Sequence, residues 1–198
     1  MRPAIFLDRD GTVCREVGYV NHPSRLHLLP GAAPAICQAR SGGYLCVLVT
    51  NQAGVARGYF TEPTIKATHV RLQQLLAAGG ALLDGIYYCP HHPTAGHPPY
   101  RFACPCRKPR PGMLLQAARD LHIELAHSVV IGDKISDVEM GHVVGARGIL
   151  VRTGYGRGEE AFGQPHWSTR PDHVSDGLQE AIRWIVEIDD PRRGQETM

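Results

Sequence analysis

Two aspartates lie two residues apart at the end of the first apolar run of the chain, where Ala4–Leu7 is followed by the letters DRDGT. A carboxylate can attack the phosphorus of a phosphate ester, and a second can protonate the leaving oxygen and later activate water. Side chains alternate along an extended segment, so Asp8 and Asp10 should point the same way. The pair predicts Asp8 as nucleophile and Asp10 as general acid and base.

Phosphate oxygens repel an anionic nucleophile unless a cation neutralises their charge. Mg²⁺ prefers oxygen ligands, and Asp8, the backbone carbonyl of Asp10 and Asp133 can supply three of them. Asp137, four residues after Asp133, is expected to lie beside the metal as an outer hydrogen-bond acceptor. The carboxylates therefore predict a magnesium-dependent phosphatase.

Donors for the phosphate follow the second apolar run, where Thr50 and the backbone amides around Asn51 are available. Lys108 can neutralise the charge that develops during phosphoryl transfer. Thr50 and Lys108 are therefore predicted to act with the two aspartates.

Four soft ligands crowd into one segment, in the order Cys89, His91, Cys104, Cys106. Three thiolates and one imidazole make a closed tetrahedral zinc site. The loop they bracket is rich in proline and glycine and has little apolar material, so a metal would hold its shape. His92 and His97 are rivals for the imidazole position, and free thiols in a flexible loop are the alternative.

Composition narrows the class of protein and the partners that can be expected. The chain has 198 residues, of which 43% are hydrophobic and 20% charged, with a formal net charge of +2. These values are typical of a globular domain, and the small charge gives no reason to expect a nucleic-acid or membrane partner. The apolar run at the N-terminus is too short for a secretory signal, so a cytoplasmic protein is expected, in which disulfides are rare. Its small size suggests a monomer.

Short continuous apolar runs alternate with helical patterns along the chain. The predicted strands are Ala4–Leu7, Leu45–Val49, Gly85–Tyr88, Val129–Ile131 and Gly148–Val151. The predicted helices are Ala32–Arg40, one starting near Thr61 and Pro63, one opened by Pro111 and Gly112, one from Asp137 to about Val144, and one within Gly177–Ile188. This alternation predicts an α/β fold, a doubly wound parallel sheet with helices on both faces. We expect one domain over residues 1–188, with the zinc loop at 89–106 and a polar tail at 189–198.

Polar clusters follow four of these strands, and ligands bind outside the carboxyl ends of strands in open parallel sheets. The clusters are therefore expected to meet in one crevice.

These motifs together resemble the haloacid dehalogenase (HAD) superfamily of phosphatases. The resemblance rests on DRDGT, the strand-terminal Thr50, Lys108 in CRKP and the letters GDKISD, in that order, over about two thirds of the chain. It implies a Rossmann-like fold and an aspartyl-phosphate intermediate on Asp8. The spacings leave no room for a folded cap domain, so a capless enzyme is expected whose loops select the substrate.

A narrower resemblance is carried by the letters GYV, TNQAGVARGYF, CPHHP and CPCRKPRPGM. These are similar to the D-glycero-D-manno-heptose-1,7-bisphosphate 7-phosphatase family, which uses Mg²⁺ and structural zinc on the pathway to activated heptose for bacterial surface polysaccharide. The resemblance implies zinc ligation by Cys89, His91, Cys104 and Cys106. It implies substrate contacts at Glu16, Val17, Gly18, Tyr19, Thr50, Asn51, Gln52, Ala53, Arg107, Lys108 and Lys134. Arg57 is a further candidate cation.

Three alternatives remain. Histidinol-phosphate phosphatase shares the aspartate motif and the zinc loop, but Arg107 beside Lys108 suits a second phosphate better than a cationic substrate. A polynucleotide phosphatase would need a basic stripe interleaved with aromatics, which is not seen. A zinc-stabilised binding module without activity is disfavoured because every carboxylate that catalysis needs is present.

Overall fold

The structure is a computed structural model that describes residues 1–188, and the predicted polar tail at 189–198 lies outside the described residues. Six parallel strands form one sheet in the order β3-β2-β1-β4-β5-β6. Their bounds are β1 Ala4–Leu7, β2 Leu45–Asn51, β3 Gly85–Cys89, β4 Val129–Gly132, β5 Arg147–Val151 and β6 His173–Ser175. The predicted doubly wound α/β fold is confirmed.

Helices cover both faces of this sheet. Their bounds are α1 Ala32–Ser41, α2 Glu62–Ala78, α3 Gly112–Leu121, α4 Ile135–Val143, the single turn α5 Gly156–Gly158 and α6 Leu178–Arg183. Alternate residues of each strand point to opposite faces, so Ile5 and Leu7 pack under α1, α2 and α6 while Phe6 packs under α3 and α4. Strands β1, β2 and β4 are buried on both sides, which explains their continuous apolar sequence.

One helix start and one strand depart from the sequence prediction, besides shifts of one or two residues at other element ends. Helix α4 begins at Ile135 rather than at Asp137, because the Asp137 side chain accepts from the Lys134 backbone N–H and so lies inside the first turn. Strand β6, which pairs with β5, was not predicted. The predicted helix in Gly177–Ile188 is present as α6 followed by a π-helical turn at Trp184–Ile188.

The strand order changes direction between β1 and β4, which lie side by side in the middle of the sheet. Such a switch point opens a crevice at the carboxyl ends of the two strands. Asp8 follows β1, and Asp133 follows β4, so both face this crevice. Within residues 1–188, no cap domain is inserted and no helix combines the length and apolarity needed to span a bilayer.

Candidate active site

Three carboxylates from β1, β4 and α4 converge at the switch point. Oxygen atoms of Asp8, Asp133 and Asp137 all lie within 4.8 Å of one another. Asp133 is held in place by glycines, since a Cβ on Gly11 or Gly154 would fall 2.0 or 2.2 Å from its Oδ2. Gly11 also has φ +87, a conformation that side chains disfavour. The tight turn after β1 therefore requires glycine for two reasons.

Lys108 lies between two of these carboxylates. Its Nζ is 2.5 Å from Asp8 Oδ1 and 2.6 Å from Asp137 Oδ1, and its side chain is only 3% exposed. Burial by itself lowers the pKa of Lys108, but Asp137 and Asp8 outweigh burial and raise it. Lys108 is therefore a fixed cation beside the Asp8 carboxylate.

Asp133 is fully buried, yet one of its oxygens is unsatisfied. Oδ2 accepts from the Tyr155 backbone N–H at 2.8 Å, whereas Oδ1 has no hydrogen-bond partner among residues 1–188. A buried carboxylate oxygen without a partner is costly unless a cation reaches it. Oδ1 of Asp133, together with the neighbouring Asp8 and Asp137 oxygens, fits a hard divalent cation such as Mg²⁺.

Mg²⁺ is expected to raise the melting temperature (Tm), and to raise it more near pH 8 than near pH 5. Burial raises the pKa of both Asp8 and Asp133 above the ordinary carboxyl value of about 4. Both groups therefore bind protons more tightly in the folded than in the unfolded protein, and their contribution to stability falls as the pH rises from about 4 through pKa values of about 6 for Asp8 and about 8 for Asp133. A cation offsets the buried charge, and protons compete with it at low pH. Thermal unfolding with and without Mg²⁺ at the two pH values measures the effect.

Asp133→Asn is the control for this experiment. It removes one buried charge, so we expect most of the rise in Tm caused by Mg²⁺, and part of the dependence of Tm on pH, to disappear. Equal Mg²⁺ shifts at both pH values in the unchanged protein would contradict the assignment of the cation to these carboxylates.

Asp10 lines the same cleft as Asp8, although strand alternation is not the reason. Strand β1 ends at Leu7, and the turn after it brings both carboxylates to the cleft. Asp10 is bound by Arg9, whose NH2 is 2.8 Å from Oδ2, and by Gln52, whose Nε2 is 2.9 Å from the same oxygen. The sequence indicated no role for Arg9 and neither of these contacts.

The predicted phosphate donors are joined by hydrogen bonds. Asn51 Oδ1 accepts from the Lys108 N–H at 3.2 Å and its Nδ2 donates to the Lys108 carbonyl at 3.4 Å. Gln52 Nε2 donates to Thr50 Oγ1 at 2.9 Å. The end of β2 and the segment after the cysteine loop are thus fixed to each other.

The cleft above these residues has a volume of about 450 Å³. Its lining includes every predicted catalytic residue and ten of the eleven predicted substrate contacts: Glu16, Gly18, Tyr19, Thr50, Asn51, Gln52, Ala53, Arg107, Lys108 and Lys134. Val17 is the exception, because its side chain is 37% exposed outside the lining. Arg57 also lies outside, where it is exposed and its NH2 is 3.4 Å from His92 Nε2.

Two further lining residues had no signal in the sequence, namely Ser136 and Tyr155. Tyr155 enters after β5, and Lys134 Nζ lies 4.3 Å from the centre of its ring. Tyr155 also binds Asp133 through its backbone N–H, which any residue type except proline could supply.

The four predicted zinc ligands come together as a second cluster. The Sγ atoms of Cys89, Cys104 and Cys106 and a ring nitrogen of His91 lie within 4.8 Å of one another. His91 directs Nδ1 to Cys89 Sγ at 3.6 Å and to Cys106 Sγ at 3.9 Å. Three sulfurs and one imidazole nitrogen at these distances fit zinc. The rival His92 instead accepts backbone N–H bonds from Thr94 and Ala95.

Comparisons with known proteins agree with this geometry. The chain is 41% identical to a D-glycero-D-manno-heptose-1,7-bisphosphate 7-phosphatase from Thermosynechococcus vestitus, over 96% of this chain and 99% of that relative. It is 43% identical to a D-glycero-beta-D-manno-heptose-1,7-bisphosphate 7-phosphatase from Escherichia coli K12, over 83% of this chain and 87% of the relative. The chain belongs to the heptose-bisphosphate phosphatase family. A HAD-hydrolase-like family model also matches residues 105–181.

Solved structures show the same family likeness. A D,D-heptose 1,7-bisphosphate phosphatase from B. bronchiseptica, complexed with magnesium and phosphate, aligns with a TM-score of 0.80 at 34% identity and covers 92% of this chain and 97% of that one. A HAD-like phosphatase structure from Mesorhizobium loti aligns with a TM-score of 0.73 at 39% identity, over 76% of this chain and 72% of that one. The resemblance to heptose-bisphosphate phosphatases is confirmed, and the chain is a phosphoric monoester hydrolase of the HAD superfamily.

Proposed function

We propose that this phosphatase removes the 7-phosphate of D-glycero-D-manno-heptose 1,7-bisphosphate through a phosphoryl group carried on Asp8. Membership of the heptose-bisphosphate phosphatase family supports the substrate. The observation that carries the mechanism is the meeting of Asp8, Asp133 and Asp137 at the strand switch point, with Lys108 between Asp8 and Asp137. The product would enter the synthesis of nucleotide-activated heptose.

In the first half-reaction an Asp8 oxygen attacks phosphorus, and the bond between phosphorus and the sugar oxygen breaks. Asp10 gives its proton to that oxygen, so the sugar leaves as an alcohol. Lys108 holds Asp8 from the side and stabilises the charge on the phosphoryl group.

In the second half-reaction Asp10, now ionised, takes a proton from water. The water oxygen bonds to phosphorus, the bond from phosphorus to Asp8 breaks, and phosphate is released. Asp8, the Asp10 carbonyl and Asp133 are the proposed Mg²⁺ ligands, with Asp137 outside them. Mg²⁺, when bound, neutralises charge on the phosphate oxygens.

The rest of the cleft is proposed to hold the remainder of the substrate. Arg107 donates from NH1 to the His91 carbonyl at 3.1 Å, so the proposed zinc loop fixes its direction. A guanidinium grips phosphate with two parallel bonds, which suits the second phosphate of a bisphosphate. Lys134 and the turn at Glu16–Tyr19, which is closed by the Gly18 N–H on Glu16 Oε1, also line the cleft.

A comparison of kcat/KM among substrates tests this proposal. We expect heptose 1,7-bisphosphate, in one or both anomers, to exceed fructose 1,6-bisphosphate and histidinol phosphate by about 100-fold or more. Histidinol phosphate has no second phosphate and so loses two charged hydrogen bonds, worth roughly 3 kcal/mol or more of transition-state binding. Fructose 1,6-bisphosphate keeps two phosphates but holds them at a different spacing, so both cannot reach their partners in the cleft at once. Phosphate release with Mg²⁺ present is the measurement.

Arg107→Lys provides the matched variant, because it keeps the charge and loses the paired geometry. We expect Arg107→Lys to lower kcat/KM for the bisphosphate by a larger factor than it lowers kcat/KM for a monophosphate. In the unchanged protein, a kcat/KM for histidinol phosphate above that for heptose 1,7-bisphosphate would overturn the heptose assignment. It would favour the alternative, a histidinol-phosphate phosphatase.

A further inference from the structure

Arg9 is a charged residue in a place where charge is costly. Its side chain is 1% exposed and lies between the two aspartates of the DRDGT turn. A buried guanidinium is stable only where its N–H groups are paired. Arg9 Nε lies 3.1 Å from both oxygens of Asp10, and NH2 lies 2.8 Å from Oδ2. The guanidinium therefore faces Asp10 with its fork and fixes the plane of the carboxylate.

The other end of the guanidinium is fixed as well. Arg9 NH1 lies 3.4 Å from Nε2 of His69, a buried residue of α2. Burial and then the Arg9 charge lower the pKa of His69 to about 3, so the imidazole is neutral near neutral pH and its Nε2 can accept. The His69 ring packs edge-on against Tyr88 at 5.6 Å. Arg9 is thus held between α2 and the carboxylate that it binds.

The two oxygens of Asp10 differ in their contacts. Oδ2 accepts from Arg9 NH2 at 2.8 Å, from Gln52 Nε2 at 2.9 Å and from Arg9 Nε at 3.1 Å. Among residues 1–188, Oδ1 accepts from Arg9 Nε alone, at 3.1 Å, and that donor is shared with Oδ2. Oδ2 therefore has three donor contacts and Oδ1 has one, so Oδ1 is the oxygen with more room for a proton.

We propose that Arg9, supported by His69, is a positioning residue that directs Oδ1 of Asp10 to the leaving oxygen of the substrate. This inference rests on the proposed function. The proton on Oδ1 passes to the ester oxygen as the bond to phosphorus breaks, and Oδ1 keeps the electron pair. Arg9 then stabilises the carboxylate that is formed. In the second half-reaction the same oxygen takes a proton from water.

The test compares two leaving groups. Nitrophenolate leaves as a stable anion and needs little help from an acid, whereas a sugar alkoxide needs its proton. We expect Arg9→Met to lower kcat/KM for the heptose bisphosphate by about 100-fold, and for p-nitrophenyl phosphate by less than about fivefold. The expected loss for the sugar lies in kcat, with KM little changed. The readout is the kcat/KM for the heptose bisphosphate divided by the kcat/KM for p-nitrophenyl phosphate. Measured on one preparation, this ratio does not depend on the fraction of the protein that is folded.

Arg9→Lys and His69→Leu complete the design. Lysine keeps the charge but cannot bind both Asp10 oxygens and His69, so the ratio should stay lowered in Arg9→Lys. His69→Leu removes only the support of Arg9 and should lower the ratio by a smaller factor than Arg9→Met does. Arg40→Met is the control, because Arg40 also pairs with a carboxylate, Asp84, but outside the cleft. It should leave the ratio unchanged.

Two outcomes would overturn the inference. One is an equal loss on both substrates in Arg9→Met, and the other is a full return of the ratio in Arg9→Lys, which would mean that charge alone matters. Failure of the proposed function would be distinguishable, because the unchanged protein would then fail to prefer the heptose bisphosphate at all.

Discussion

Replacing Asp8 with asparagine is expected to lower kcat by at least about 1,000-fold while the protein stays folded. An amide has nearly the shape of the carboxylate but cannot attack phosphorus. Lys108 keeps Asp137 as a partner at 2.6 Å, so no buried cation is left unpaired. Burial penalises the charge on Asp8, so its removal should not reduce the free energy of unfolding by more than about 1 kcal/mol.

Steady-state phosphate release and thermal unfolding, measured on the same preparation, give both quantities. Asp120→Asn is the matched control, since Asp120 is an exposed carboxylate on α3 whose contact is with the Tyr87 hydroxyl. It should retain full activity. Activity of more than about a thousandth in Asp8→Asn would rule out a covalent intermediate on this residue.

Removing the proposed zinc ion is expected to lower Tm by about 10 °C and to raise KM about tenfold. The loop between Cys89 and Cys104 has few apolar residues of its own, so an ion would supply much of its stability, worth about 3 kcal/mol here. The His91 carbonyl accepts from Arg107, so a loosened loop should release that guanidinium from the cleft. Metal analysis of the purified protein, followed by kinetics and unfolding after chelation, measures each part.

Cys106→Ser and Cys37→Ser separate zinc loss from other effects of thiol removal. Cys106 belongs to the cluster, whereas Cys37 lies on α1, outside it. Only the first should lower the zinc content, Tm and substrate affinity. A protein that contains no zinc as purified, or that keeps its KM after zinc is removed, would contradict this role for the loop.

The sequence was informative about the fold where strands are buried on both faces. β1, β2 and β4 read as continuous apolar runs for that reason, and their ends were predicted within one or two residues. β6 has only three residues, of which Val174 is the single aliphatic one, so no run marks it. The start of α4 was misplaced because an aspartate near a helix start fits both the cap and the third helical position.

The side chains of the candidate site could be predicted because motif residues are set at strand ends, where parallel topology brings them together. Contacts made by backbone atoms could not be predicted from the sequence, since the N–H of Tyr155 that binds Asp133 carries no side-chain signature. The contact between Arg9 and His69 could not be predicted either, because these residues are 60 positions apart and meet only when α2 is packed on the sheet. Val17 was predicted as a substrate contact together with its neighbours Glu16, Gly18 and Tyr19, and only those three line the cleft.

Gly11 and Gly154 enclose the Asp133 carboxylate so closely that it has almost no freedom to rotate. The entropy of orienting this carboxylate is therefore lost during folding, before any ion arrives. An incoming cation meets a partner that already faces it, and its departure leaves that partner in place. Exchange of the ion between catalytic cycles would then proceed without rearrangement of the backbone around it.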